Sequence, residues 1–190
     1  MKKVFFLICM MIVASITANA QVGMPQEDIN RSVKEDTKAL VKEGWKVDAG
    51  EMPLHFQLRR AYTMNQEVLP GGKPKYFMGK ATALGNSSIG AYATARQFAI
   101  SDLVKQIEVI YKDDVQAGII NNGLGEGSTD YATQIIASSV LKIGNFVTVV
   151  SCYREKDKNV IEAQIRIACS REDVEKAIFK TMDMLKNEEK

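Results

Sequence analysis

The sequence predicts an α+β protein: an antiparallel sheet of three to four strands packed with helices, preceded by an N-terminal helical segment. Three observations carry this. Apolar residues recur at helical spacing in several separate stretches. "NFVTVVSCYREKDKNVIEAQIRIAC" (145–169) reads as two strands joined by a tight turn near Asp157-Lys158. No repeat recurs at a fixed period, which leaves a single layered domain rather than a solenoid.

Residues 1–20 have the pattern of a signal peptide. Met1-Lys2-Lys3 is a short positive region, Val4–Ile16 is apolar, and Ala18–Ala20 fits the small-x-small rule for cleavage before Gln21. Cys9 lies inside the apolar run rather than after it, which argues against lipidation there. The expected address is therefore periplasmic or secreted. No later stretch approaches the roughly 20 apolar residues of a membrane span.

The remaining residues, 21–190, divide into a helical segment over 21–70 and an α+β domain over 71–190. A chain of this size buries about 70% of its unfolded surface, so neither disulfide nor metal is required to hold it together. The chain has 25 basic and 23 acidic residues, and Lys2 and Lys3 leave with the signal. That balance lacks the basic excess of a nucleic-acid binder and the polybasic run of an anionic-lipid binder.

Taken in order, Pro25–Gly44 is an amphipathic helix whose Ile29, Val33, Leu40 and Val41 share a face, with Gly44 as its end. "WKV" (45–47) is a short extended piece. Met52–Val68 is a second helix, with Pro53 in its first turn and a stripe of Leu54, Leu58, Ala61 and Tyr62. Leu69–Pro74 is the strongest break. A strand follows over Tyr76–Leu84, then a helix over about Ser88–Ile107 with its start capped by Asn86, Ser87 or Ser88. Glu108–Ile120 suits a helix end or a strand. Asn121–Gly127 is a glycine-rich loop, and Thr129–Lys142 a helix ending at Gly144. In the last helix Ser170 is the N-cap and Asp173 its reciprocal partner, with Val174, Ile178, Met182 and Leu185 at core spacing.

In the hairpin register expected from that turn, Cys152 faces Ala163 and Cys169 faces Phe146. The sulfurs then stand about 20 Å apart at about 3.3 Å per residue, beyond disulfide reach. Two free, buried thiols follow.

The stretch "YFMGKATALGNSSIGAYATARQFA" (76–99) places a strand, a turn and a helix where phosphate loops place theirs. Its residues do not fit one. Asn86 follows Gly85 where a Walker loop needs Lys, and Gly79, Gly85 and Gly90 miss the dinucleotide spacing. The small residues Gly90, Ala91, Ala93, Ala95 and Ala99 instead allow close approach to the sheet. An apolar face of Ile89, Tyr92, Ala93, Ala99, Ile100, Leu103 and Ile107 includes Arg96, and a buried guanidinium needs carboxylate or carbonyl partners. Arg96 is thus either a core-lying side chain paired with a local acid or an anion-binding residue in a groove.

"KYFMGKATALGNSSIGAYATARQFAISDLVKQI" (75–107) resembles the core of the LPP20-type bacterial envelope lipoproteins, in which a strand ending G-x-A-x-A precedes an alanine-patterned helix with "AR…A…L…I". The matching positions are Gly79, Ala81, Ala83, Ala95, Arg96, Ala99, Leu103 and Ile107. Residues 147–167 resemble that family's closing hairpin. The resemblance implies an α+β envelope protein associated with surfaces and carries over no catalytic residue. A lipobox is missing.

Among other candidates, His55 is the sole histidine and has no cysteine at ligand spacing, so no metal site or cofactor is expected. Asp113-Asp114 diverge on either a strand or a helix and suit a solvated acidic turn. Trp45 either packs the N-terminal helices onto the sheet or, if exposed, marks a partner surface. The function expected is that of a non-enzymatic envelope protein acting by contact with another envelope protein. The alternative is a small-ligand or anion-binding protein, or an enzyme, with a groove near Arg96 and Asn121–Gly127.

Overall fold

The computed structural model describes residues 25–121 and 129–188, so the signal-peptide, Cys9, Gln21 and glycine-loop expectations lie outside the described residues. Helix α1 (Gln26–Lys42) carries Glu27 and Asp28 in its first turn, where carboxylates favour the helix dipole. It ends where Gly44 takes φ 85° and Trp45 N–H donates to the Leu40 carbonyl at 3.0 Å. Helix α2 (Leu54–Gln66) starts directly after Pro53. Strand β1 (Tyr76–Gly85) leads into α3 (Ser88–Asn121), then α4 (Thr129–Leu141), β2 (Val147–Asp157), β3 (Val160–Ser170) and α5 (Arg171–Glu188).

The three strands form one antiparallel sheet in the order β1-β3-β2, the α+β layout expected. Side chains alternate across it. On one face, Phe77, Ala83, Ala163, Ile165, Ile167 and Cys169 pack with Ala91, Ala95, Ala99, Leu103 and Ile107 of α3, and this core continues into α4 and α5. On the other face, Val150, Cys152 and Ala168 pack with Ile29, Val33, Trp45, Leu54 and Leu58. The N-terminal helices are thus a covering layer, not a tethered appendage.

Close approach of α3 to β1 explains the small-residue pattern. A Cβ at Gly79 would stand 2.1 Å from the Ala99 carbonyl oxygen, and one at Gly85 would stand 2.7 Å from Ala91 N. Only glycine fits at either place.

Both sheet edges are closed by side chains. On β1, Asp102 accepts the Lys80 N–H at 3.0 Å and Gln106 donates to the Met78 carbonyl at 3.0 Å. On β2, Gln57 accepts the Ser151 N–H at 2.7 Å, and the backbone of Lys46 pairs with that of Tyr153. Such edges otherwise invite pairing with another chain.

Several expectations are corrected. Glu108–Ile120, which suited a helix end or a strand, is the C-terminal part of the continuous α3, which carries Asp113 and Asp114 exposed on its surface rather than in a turn. The buried face of α3 is the Ala91-Ala95-Ala99 stripe, and Ile89 is 82% exposed, because the glycines of β1 accept only small partners. Val41 is likewise exposed. The hairpin turns one residue later than expected, with Asp157 opposite Val160 and Asn159 at φ 63°. Cys152 therefore faces Gln164, whereas at the start of β2 the pairing of Val147 with Ala168 keeps the expected register, and Cys169 pairs with Phe77 on its β1 side. Both thiols are free and buried, on opposite faces of the sheet. Ser87 supplies the cap of α3, accepting the Gly90 N–H at 3.2 Å. Ser170 and Asp173 form the reciprocal pair expected at α5.

Candidate functional site

A β-bulge at Val149 shifts the register of β2 between Thr148 and Val150. Bulges re-aim side chains, and they recur beside functional sites. Here the bulge sits at a groove of about 380 Å³ between α3 and α2, at the β2 edge. Arg96 and Tyr92 come from α3, Thr148 and Ser151 from β2, Gln57 and Arg60 from α2, and Glu51 from the preceding segment.

Arg96 is half-buried and braces the start of β2, donating from Nη1 to Thr148 Oγ1 at 2.8 Å and from Nη2 to the Phe146 carbonyl at 3.2 Å. No carboxylate pairs with it among the described residues. A guanidinium has about five N–H donors, and two are used here. Arg96 lines a groove that Arg60 of α2 also lines, and Arg60 likewise has no ion pair among the described residues. Arg96 thus pairs with a hydroxyl and a carbonyl in place of the local acid expected, and it lines a groove.

Tyr92 adds a second unmet group. Its hydroxyl is buried and makes no hydrogen bond in the structure. Burial, above all, raises its pKa; the neighbouring Ser151 opposes the rise and the charge of Asp48 adds to it. The phenol stays protonated at neutral pH. Gln57 is fixed at both ends, donating to the Met52 carbonyl at 2.6 Å while accepting from Ser151, so one wall of the groove is rigid.

Trp45 does not offer a partner surface. It is 6% exposed, sits among Ile29, Leu54 and Val150, and stacks under the Arg154 guanidinium at 4.7 Å. Its N–H donates to Glu43 at 3.3 Å, and Arg154 also pairs with Glu162 at 2.8 Å. This is the packing role that was the other expectation. His55 stacks on Phe56 at 4.0 Å on the exposed side of α2, away from the groove.

Sequence reasoning found Arg96 and missed Arg60, Tyr92 and Gln57 as polar partners. Gln57 left a signal: it stands three residues after Leu54 and four before Ala61, a polar residue within a buried stripe. Arg60 left none, since an exposed cation on a helix is ordinary. No protein-family model matches this chain, and no curated protein or solved structure does either. Among the described residues, no helix is long and apolar enough to cross a membrane.

Proposed function

We propose that this chain is an exported, non-enzymatic protein of the cell envelope, of the LPP20-like kind its sequence resembles, and that it works by holding a small ligand through a carboxylate group. The observation that carries the reading is that two arginines, Arg96 and Arg60, line one groove without ion pairs among the described residues. Planar forks of this kind match carboxylates in two-point contact. Glu51 on the same lining disfavours a dianion and can accept a donor from the ligand body. Neither His nor Cys lines the groove, and the high-pKa Tyr92 phenol suits donation better than proton transfer.

Titration of the ¹⁵N-labelled chain over residues 21–190 with acetate, glutamate and a short peptide bearing a free C-terminus tests the reading. Chloride at matched ionic strength is the control. Saturable shifts at Arg96, Thr148 and Ser151, weakened by Arg60→Gln, are expected; shifts no larger than those of chloride would reject it. Export is tested by the intact mass of the natively produced protein, which should begin at Gln21 and carry no acyl chain.

A second reading, contact with another envelope protein, is favoured by one observation. Phe179 is 74% exposed beside an apolar groove of Val115, Ile178 and Met182 between α3 and α5. Cross-linking in intact cells that captures one envelope protein, and loses it on Phe179→Ser, would support this reading over the first.

A further inference from the structure

Helix α2 borders a second groove on its other side. It has a volume of about 270 Å³ and is lined by Tyr62, Asn65, Met78, Lys80 and Arg166. Lys80 on β1 and Arg166 on β3 are register partners, so two cations stand directly opposite each other on one face of the sheet. Like charges at such a pair are destabilising. Neither is within 4 Å of a carboxylate among the described residues. The nearest acids are used elsewhere: Asp36 accepts from the Tyr62 hydroxyl at 2.8 Å, and Asp102 accepts from the Lys80 backbone and from Gln106.

Arg166 carries a further unmet demand. Its Nε–H is buried and has no hydrogen-bond partner. A buried donor without an acceptor is costly, and such groups are rare in native structures. Folding alone therefore gives no reason for this pair, whereas an oxyanion answers each part of it. One oxygen accepts the Arg166 Nε–H, a second accepts from the same fork, and the exposed Lys80 ammonium closes over the remaining charge. Asn65 lies on the rim as an additional donor, and Met78 offers an apolar wall for an attached organic group.

We infer that the Lys80–Arg166 groove is a binding site for a phosphate monoester, separate from the Arg96 groove and independent of the reading given there. Two opposed cations with no acid on the groove lining suit a dianion, in contrast to the Arg96 groove with its Glu51. The phosphate belongs either to a soluble phosphomonoester or to a lipid headgroup at a membrane surface.

The test uses the chain over residues 21–190 with inorganic phosphate and glycerol 3-phosphate at fixed ionic strength, followed through the Arg166 Nε resonance and the Met78 and Lys80 amides. Saturable shifts are expected, with affinity weakened about tenfold or more by Lys80→Gln, the loss of one charged hydrogen bond. Lys80 is exposed, so this variant folds; Arg166→Gln serves as a second variant. The absence of saturable shifts, affinity unchanged by Lys80→Gln, or shifts confined to the Arg96 groove would overturn the inference. Co-sedimentation with phosphatidylcholine vesicles, with and without phosphatidic acid, assigns the source. Pelleting that needs phosphatidic acid and Lys80 identifies a headgroup. Binding of glycerol 3-phosphate without pelleting identifies a soluble ester.

Discussion

Replacing Gly79 with alanine should be among the most damaging single-methyl changes in the molecule. The added Cβ would sit 2.1 Å from the Ala99 carbonyl oxygen and 2.8 Å from Leu103 Cβ. A carbon–oxygen contact needs about 3.3 Å, so β1 and α3 must part by about 1 Å. Neither side yields easily, because the obstructing oxygen is backbone within a long helix and Gly79 lies in a strand paired along its length. A gap of that size forfeits about a quarter to a half of each dispersion contact along the seam. Overpacking costs about 1–3 kcal/mol and more at rigid sites, against about 0.4–1 kcal/mol gained from a stiffer unfolded chain. The net expectation is a loss of about 3 kcal/mol, or about 6–12 °C in Tm for a chain of this size. Urea unfolding followed by far-UV circular dichroism measures it as a fall in midpoint at constant slope. Gly118→Ala is the control: its Cβ meets only the flexible end of Met182 at 3.1 Å, so helix propensity should leave it neutral or slightly stabilised. A Gly79→Ala loss below about 1 kcal/mol, or equal to that of Gly118→Ala, would refute the close-approach argument.

Three other outcomes follow from the same structure. Trp45→Ala empties the centre of the α1–α2 layer and should cost about 3–5 kcal/mol in urea unfolding; a near-neutral result would mean the layer does not depend on its anchor. Tyr92→Phe removes a buried hydroxyl that has no partner, so it should hold or raise stability by about 1 kcal/mol while weakening ligand binding in the Arg96 groove; a clear loss of stability would show the hydroxyl is bonded after all. Burial pushes both the Cys152 and the Cys169 thiol from 9.0 up to about 12, so the unfolded chain releases these protons at lower pH than the folded one. Stability should therefore fall as pH rises from about 9 to about 12, and a thiol reagent at pH 8 should react with the unfolded chain far faster than with the folded one. Equal rates would contradict the burial.

What could be read from sequence was whatever repeats locally. The stripes Leu54-Leu58-Ala61 and Val174-Ile178, the Ser170 cap and the hairpin each follow from spacing within a dozen residues. The face of α3 was misjudged because hydrophobicity favours Ile89 over Ala91, while the selection is steric and resides in Gly79 and Gly85 on another element. Near its turn the hairpin register slipped by one because Asn159, a residue that tolerates positive φ, moves the turn toward the C-terminus, and the bulge at Val149 restores the expected pairing at Val147. Arg96 stood out as a charge within an apolar face. The rest of its groove comes from α2 and β2, about 40 to 50 residues away on either side, and no local pattern links them. The Lys80–Arg166 opposition likewise exists only once β1 and β3 are in register.

The central claim is that the Arg96–Arg60 groove holds a carboxylate. Calorimetric titration of glutamate, a net monoanion, into the wild-type chain, Arg60→Gln and Arg96→Lys tests it most directly, since lysine keeps the charge and removes the fork. Saturable binding that weakens about tenfold or more in each variant is the predicted result. Binding that is absent from the wild-type chain, or equal in all three proteins, would contradict it.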